Sequence, residues 1–258
     1  MADFTKLIDD MAGYKHAVEK MHEVSPVEFD KIIQNRRSVR FYTDEKIPAD
    51  VVEKVLDWGL LAPNSSNLQP WEFYWVKNPE KKAELVTALL SQPAARTAQE
   101  LIVAVAKRKT WKKVSQQMLA ELDKTPDVPK AAKDYYGKIV PLAYTLGPLG
   151  IVGLFKKIGV TLVGLTRPIP REPSSKADMR VWAVKSTSLA CENIMLGFSA
   201  FGYDSCPMEG YDSARVKKVL GLNRGDEVVM VISAGKRDQK GVYGPRIRMD
   251  RNQFIKII

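Results

Sequence analysis

The chain has 258 residues, of which 45% are hydrophobic and 27% charged, a globular composition that excludes a mainly disordered polymer and is long enough for one buried core. The formal net charge of +10 points to anionic partners (nucleotides, nucleic acid, phosphate esters, anionic lipid) or serves solubility alone. The basic clusters at 107–113, 215–218 and 236–251 are not interleaved with the aromatics of an RNA-binding sheet, and no helix-turn-helix or zinc-finger signature accompanies them.

Leu7, Met11, Tyr14, Val18 and Met21 recur at steps of four and three, one face of an amphipathic helix in an N-terminal extension, 1–24. This segment lacks the basic start and apolar core of a secretory signal, so a cytoplasmic protein is expected. It also holds both histidines, His16 and His22. A Ser-His-Asp triad, a Cys-His dyad or a His-rich zinc site would have to use one of them, and no Walker or G-x-G-x-x-G loop occurs. The economical alternative is a bound organic cofactor, with no metal.

Ser25-Pro26-Val27-Glu28 opens a helix with a cap, Pro at its first position and a possible capping box, and Phe29, Ile32 and Ile33 form its buried face. It runs into Arg36-Arg37-Ser38-Val39-Arg40. A second helix follows Pro48, with Val51, Val55, Trp58 and Leu61 on its apolar side, and stops before Pro63. The polar loop Asn64-Ser65-Ser66-Asn67-Leu68-Gln69-Pro70 leads to an aromatic strand, Trp71–Val76. Asn78-Pro79 starts a helix carrying Leu85, Leu89 and Leu90, and Leu101–Ala106 is a short buried strand.

Residues 107–175 carry no clear pattern. Ile139–Phe155 has no charge but is rich in Pro and Gly, poor for a helix, and Ile158–Leu165 resumes the apolar run after Lys156-Lys157. The preferred reading is an insertion that covers the active site or a dimer seam; membrane association through 139–165 is the secondary one, because a span wants about twenty apolar residues in a row. Val181–Ala200 reads as a long buried helix with Val184, Leu189, Ile194, Leu196 and Phe198. Cys191 and Cys206, with no C-x-x-C, suit a reducing compartment and pack as small apolar residues. Asp212 caps a helix that Gly221 ends, and Val228–Ser233 is a β-branched strand.

Four motifs carry chemistry. Arginines of the 36–40 cluster, with Ser38 as a short donor, can hold a phosphate bidentately; taken alone, the cluster reads equally as a basic helix end that satisfies its last carbonyls. The 64–71 loop offers amides and hydroxyls suited to a heterocycle edge, or is an ordinary polar turn. The third is Cys206-Pro207-Met208-Glu209-Gly210-Tyr211-Asp212. The fourth is Gly244-Pro245-Arg246-Ile247-Arg248, whose two arginines point to one side of an extended stretch.

The order of these motifs resembles the nitroreductase family of FMN enzymes, over roughly 25–108 and 180–251. The resemblance implies an α+β fold with a mixed central sheet flanked by helices. It implies an intertwined homodimer in which 25–258 is a single FMN-binding domain with an enlarged insertion at about 107–175. It assigns Arg36, Arg37, Ser38 and Arg40 to FMN, with Arg246 and Arg248 at the phosphate, and Arg40 as a fixed cation near flavin N1. Pro63, Asn64, Ser65 and Asn67 would reach the flavin from the partner subunit, with Gln69 at the ring edge. Pro207, Met208, Glu209 and Gly210 would lie at the ring, with a backbone N–H near N5. The implied activity is ping-pong transfer from NAD(P)H through FMN to a flat conjugated acceptor such as a nitroaromatic or quinone, with no catalytic side chain required. Alternatives are a reductive dehalogenase or specialised biosynthetic oxidase of the same family and, outside it, a basic module that binds nucleic acid or an anionic surface. The family's segment between its middle strand and long helix is usually much shorter than 107–175 here.

Overall fold

The computed structural model describes Lys20 and residues 22–258. The expected helix from Leu7 to Met21, and His16 within it, fall outside the described residues; His22 is exposed. In chain order the elements are α1 (Pro26–Asn35), α2 (Ala49–Leu60), β1 (Trp71–Trp75), α3 (Pro79–Ala88), α4 (Pro93–Arg96) and β2 (Glu100–Ala106). There follow α5 (Trp111–Lys124), α6 (Lys130–Asp134), a π turn (Tyr135–Ile139), α7 (Val140–Tyr144), α8 (Ile151–Val163), α9 (Lys176–Ala200), β3 (Asp204–Met208), α10 (Ser213–Leu220) and β4 (Glu227–Gly235).

Caps written in the sequence set the helix starts. Ser25 Oγ accepts from Glu28 N at 3.4 Å, but Glu28 turns to Lys31, so half of the expected capping box forms. The full box appears instead at α9, where Ser175 Oγ accepts from Asp178 N and the Asp178 carboxylate accepts from Ser175 N. Asn78 and Asp212 cap α3 and α10, and Gly221 ends α10 at φ 64°.

The sheet order is β1-β2-β4-β3 and every strand pair is antiparallel. The mixed character expected of it rests on one parallel bridge, Ser38 with Ser205, outside the named strands. β2 is central and buried on both faces, so its residues alternate between two cores. Leu101, Val103 and Val105 pack with Val231, Leu85, Leu89 and Val216 under α3 and α10. Ile102 and Ala104 pack with Ile232, Val52, Val55, Ile194 and Phe198 under α2 and α9. Gly59 lets α2 approach α9 closely: a Cβ there would lie 2.7 Å from Ile194 Cγ1.

Several apolar side chains expected inside are exposed. Phe29 is 56% exposed and Ile33 also faces out, because α1 rests on α9 by one side, where Ser199 Oγ donates to Ile32 O. Leu189 faces solvent, since α9 buries its opposite side under the sheet; Leu61 lies past the end of α2, and Leu90 in a left-handed turn. Residues 107–175 are largely helical, contrary to the reading of 139–155 as poor for helix. Pro141 sits in the first turn of α7, and the break falls at Gly147–Gly150, where Gly147, Leu149 and Gly150 all take positive φ. The helices on either side are bent by 71°, and no single helix among the described residues is long and apolar enough to cross a membrane.

Candidate active site

The segment 38–43 is stitched into place by backbone bonds on two sides. Val39 N donates to Ser205 O on β3 (3.1 Å), Arg40 N to Gly241 O (2.8 Å) and Thr43 N to Lys236 O (2.9 Å). Val39 and Tyr42 are buried, and the Tyr42 hydroxyl lies 3.0 Å from Ser233 Oγ. Alternation about Val39 turns Ser38 and Arg40 to the opposite side, and the alternation has broken by Tyr42, which is buried again.

There they meet the C-terminal segment. Arg36, Arg37, Ser38, Arg40, Arg246 and Arg248 line one cleft of about 330 Å³ together with Val242–Ile247. Arg37 Nη2 donates to Gly244 O (2.6 Å). Arg246 donates to Gln34 Oε1 (3.0 Å), Gln34 O (2.7 Å) and Arg36 O (2.7 Å), so it ties the tail to the end of α1. Arg40 donates to Ser38 O (3.2 Å) and lies 4.9 Å from the centre of the Tyr243 ring. Arg36 leans towards Glu192 at 3.6 Å, but no carboxylate among the described residues lines the cleft itself. Partial burial, then the Arg37, Arg248 and Arg36 guanidiniums, hold Arg246 below its ordinary range. Five like charges crowded around one cleft are a ready site for a dianion. Arg37 and Arg246 also border a second, open cleft with Gln34, Asn35 and Arg237, whose guanidinium is engaged by Asp204.

The other candidates lie apart from that cleft within one chain. Pro207 and Met208 are in β3, paired with Ile232 and Val231. Glu209 and Gly210 follow as an exposed turn, fixed by Gln92 Nε2 donating to Gly210 O (2.6 Å). Ser205, bridged to Ser38, is five residues from Gly210, at most about 16 Å along an extended strand. None of Pro63, Asn64, Ser65, Asn67 and Gln69 lines the arginine cleft. Their loop turns back on itself, with Asn64 Oδ1 accepting from Gln69 N (2.7 Å) and Gln69 Nε2 donating to Asn67 Oδ1 (3.3 Å).

Sequence reasoning passed over two sets of residues. Tyr243 lines the cleft beneath Arg40; an aromatic directly before Gly244-Pro245-Arg246 was the available signal. The second set lies in the insertion, which holds the 64–69 loop by three tyrosines. Tyr144 OH is 3.1 Å from Ser65 Oγ, Tyr135 OH is 2.7 Å from Ser66 Oγ, and Tyr136 OH donates to Ser66 O (3.2 Å). No spacing rule links positions this far apart.

Comparison with known proteins fits this arrangement. The Nitroreductase family model matches residues 33–236, a span that includes the arginine-serine cluster, the 64–71 loop and the 207–210 turn but stops short of Arg246. The putative NAD(P)H nitroreductase YdgI of Bacillus subtilis is 26% identical over 225 residues, covering 86% of this chain and 95% of its own. Among solved structures, the putative nitroreductase ydfN of Bacillus subtilis superposes with a TM-score of 0.72 at 21% identity, over 91% of this chain and all of that one (100%). A putative nitroreductase in complex with FMN from Exiguobacterium sibiricum does so with a TM-score of 0.66 at 22% identity, over 93% and 100%. A strand order, an ordered set of motifs and a family match over most of the sequence thus agree, and the chain belongs to the nitroreductase family.

Proposed function

We propose that this chain is an FMN-dependent NAD(P)H oxidoreductase that works as a homodimer. The observation that carries the reading is the carboxylate-free cleft where Arg36, Arg37, Arg40, Arg246 and Arg248 meet around Ser38. Its donor set fits a phosphate dianion, because guanidiniums bind such oxygens bidentately and the site's mutual repulsion is relieved by the anion. Bound there, the flavin would relay electrons in two half-reactions from NAD(P)H to a flat conjugated acceptor such as a nitroaromatic or quinone.

The chain's own residues bind, orient and cover. Arg36, Arg37, Arg246 and Arg248 hold the phosphate and Ser38 adds a hydroxyl donor. Arg40, steadied by Ser38 O and Tyr243, supplies a fixed positive charge. The 207–210 turn, held by Gln92, offers backbone groups to the ring. Asn64, Ser65, Asn67 and Gln69 would come from the partner subunit. Two features support pairing: the loop's separation from the arginine cleft, and an apolar face left open on α1 and α9 at Phe29, Ile33, Val181 and Leu189.

Titration of flavins into the apoprotein, followed by fluorescence quenching, tests the cleft without relying on turnover. The wild type should bind FMN at least about tenfold more tightly than riboflavin, which lacks the phosphate. Arg36→Ala/Arg248→Ala should erase that preference and leave riboflavin binding intact. Equal affinity of the wild type for the two flavins would refute the phosphate site.

A further inference from the structure

Residues 107–175 carry a second feature, the helix α8, which is built inside out. The side that packs on the protein carries Gly153, where an added Cβ would run into Ser174 O, and Lys156. The Lys156 ammonium reaches inward to Ala143 O (2.6 Å) and Pro173 O (3.2 Å), and burial holds it below the usual lysine range. The outward side carries Ile151, Leu154, Phe155, Ile158 and Leu162, with Leu154 60% and Phe155 68% exposed. Leu149 and Leu165 extend the same apolar surface at either end. Of the two polar side chains on it, Thr161 turns its hydroxyl back to Lys157 O (2.7 Å), which leaves the Lys157 ammonium. An ordinary surface helix shows the reverse pattern.

Charge says what this face meets. From Tyr135 to Arg171 there is no Asp or Glu, while Lys138, Lys156, Lys157, Arg167 and Arg171 occur in the same run. An apolar helix face that carries Lys157 and no acid, within a run whose only charges are cationic, suits an anionic bilayer surface, where the leucines and phenylalanine enter the acyl boundary and lysine stays among headgroups. The thirteen residues of α8 span about 20 Å, too short for a hydrocarbon core of about 30 Å, and the 71° bend before it sets it apart from α6 and α7. It would lie in the interface and not cross it. A second copy of the chain is the poorer occupant, because the face assigned to subunit pairing lies on α1 and α9. We infer that α8 docks the protein onto anionic lipid. The choice of occupant rests on the subunit pairing proposed above; the inference does not depend on the flavin reading.

Sedimentation of the full chain with vesicles tests it. The protein should co-sediment with vesicles of phosphatidylcholine and phosphatidylglycerol and stay in the supernatant with phosphatidylcholine alone. Leu154→Glu/Phe155→Glu should reduce partitioning by more than about tenfold, with an unchanged circular dichroism spectrum and melting temperature as the check on folding. Lys157→Glu should weaken binding, and high salt should do so in both backgrounds. A wild type that ignores anionic vesicles would overturn the inference. So would a folded Leu154→Glu/Phe155→Glu variant that binds them as well as the wild type. Light scattering separates the remaining case: a drop in oligomeric state in that variant, without vesicle binding by the wild type, would assign the face to a second copy instead.

Discussion

Gly235 closes β4 directly beneath the segment that carries the arginine cluster, and replacing it with alanine should damage both stability and the cleft. A Cβ at this position would lie 2.8 Å from Tyr42 Cβ, 2.8 Å from Cγ and 2.9 Å from Cδ1. These atoms are next to the backbone and cannot swing aside, and the ring is held at its far end by Ser233. Overpacking of this kind costs about 1–3 kcal/mol, while removing a glycine from a strand returns about 0.5–1 kcal/mol. With three contacts on one immobile residue the upper half of the first range applies, so Gly235→Ala should destabilise by about 1–2.5 kcal/mol. For a chain of this size that is a fall of about 2–10 °C in melting temperature. The strain is relieved most easily by moving 38–42, which shifts Ser38 and Arg40, so FMN affinity should fall as well. Thermal unfolding of the apoprotein and a flavin titration measure the two effects. Gly159→Ala is the control, because nothing lies within 4 Å of its added Cβ and helix propensity favours alanine by about 1 kcal/mol. An unchanged melting temperature and flavin affinity in Gly235→Ala would refute the close packing of Tyr42 on β4.

Three further outcomes can be checked. Tyr135→Phe and Tyr144→Phe each remove one hydroxyl contact to the 64–69 loop, worth about 1 kcal/mol or roughly fivefold in local opening; amide exchange of the loop should accelerate by that factor, and unaltered protection would show that the tyrosines do not hold it. Burial pushes the Cys191 thiol up to about 12 and Cys206 in the same direction, so native protein should resist iodoacetamide at neutral pH and label only on unfolding; stoichiometric labelling of the folded chain would contradict this. Hydrogen bonds from Ser174 N–H first, and then from the Ser175 and Ser174 hydroxyls, hold Asp178 below the usual carboxylate range. A lowered folded value gives stability that is present above the unfolded pKa of about 3.9 and is lost as pH falls through the folded one. Asp178→Asn should therefore flatten the acid limb of the melting curve below about pH 4; an acid limb identical to that of the wild type would refute the cap's contribution.

What could be read in the sequence follows from how local each determinant is. The caps at Ser25, Asn78 and Asp212, the end of α10 at Gly221, and the strands β1, β2 and β4 are short-range decisions, and they appear where the pattern puts them. β3, Asp204-Ser205-Cys206-Pro207-Met208, has no β-branched run to mark it as a strand, and its pairing with β4 supplies what its own sequence lacks. The arginine cluster and Arg246 could be nominated because each sits in a recognisable motif, although Gln34 and Glu192, which position them, sit in none. Which side of a helix is buried proved less local. Leu189 and Phe29 have the spacing of core residues, but their faces find no cover in a single chain. The insertion was opaque for a related reason: α8 buries glycine and lysine and exposes leucine and phenylalanine, so a reading that sends apolar residues inward inverts it.

The 64–69 loop, which the proposed function places at the flavin, is tied to 135–144 despite the distance in sequence. Ser66, Asn67 and Gln69 all adopt left-handed backbone conformations, at φ 58°, 48° and 43°. Each non-glycine residue held there costs about 1 kcal/mol or more, so the loop carries roughly 3 kcal/mol of strain. Its own hydrogen bond from Gln69 N to Asn64 Oδ1 offsets about one of these. The three tyrosine contacts from the insertion, at about 1 kcal/mol each, more than cover the roughly 2 kcal/mol that is left. Without 135–144 the strained loop would relax, and the amides and hydroxyls of Asn64, Ser65 and Asn67 would no longer be fixed in direction. Residues 135–144 therefore act as a brace for that loop, and substitutions at Tyr135 or Tyr144 belong with those of the loop itself.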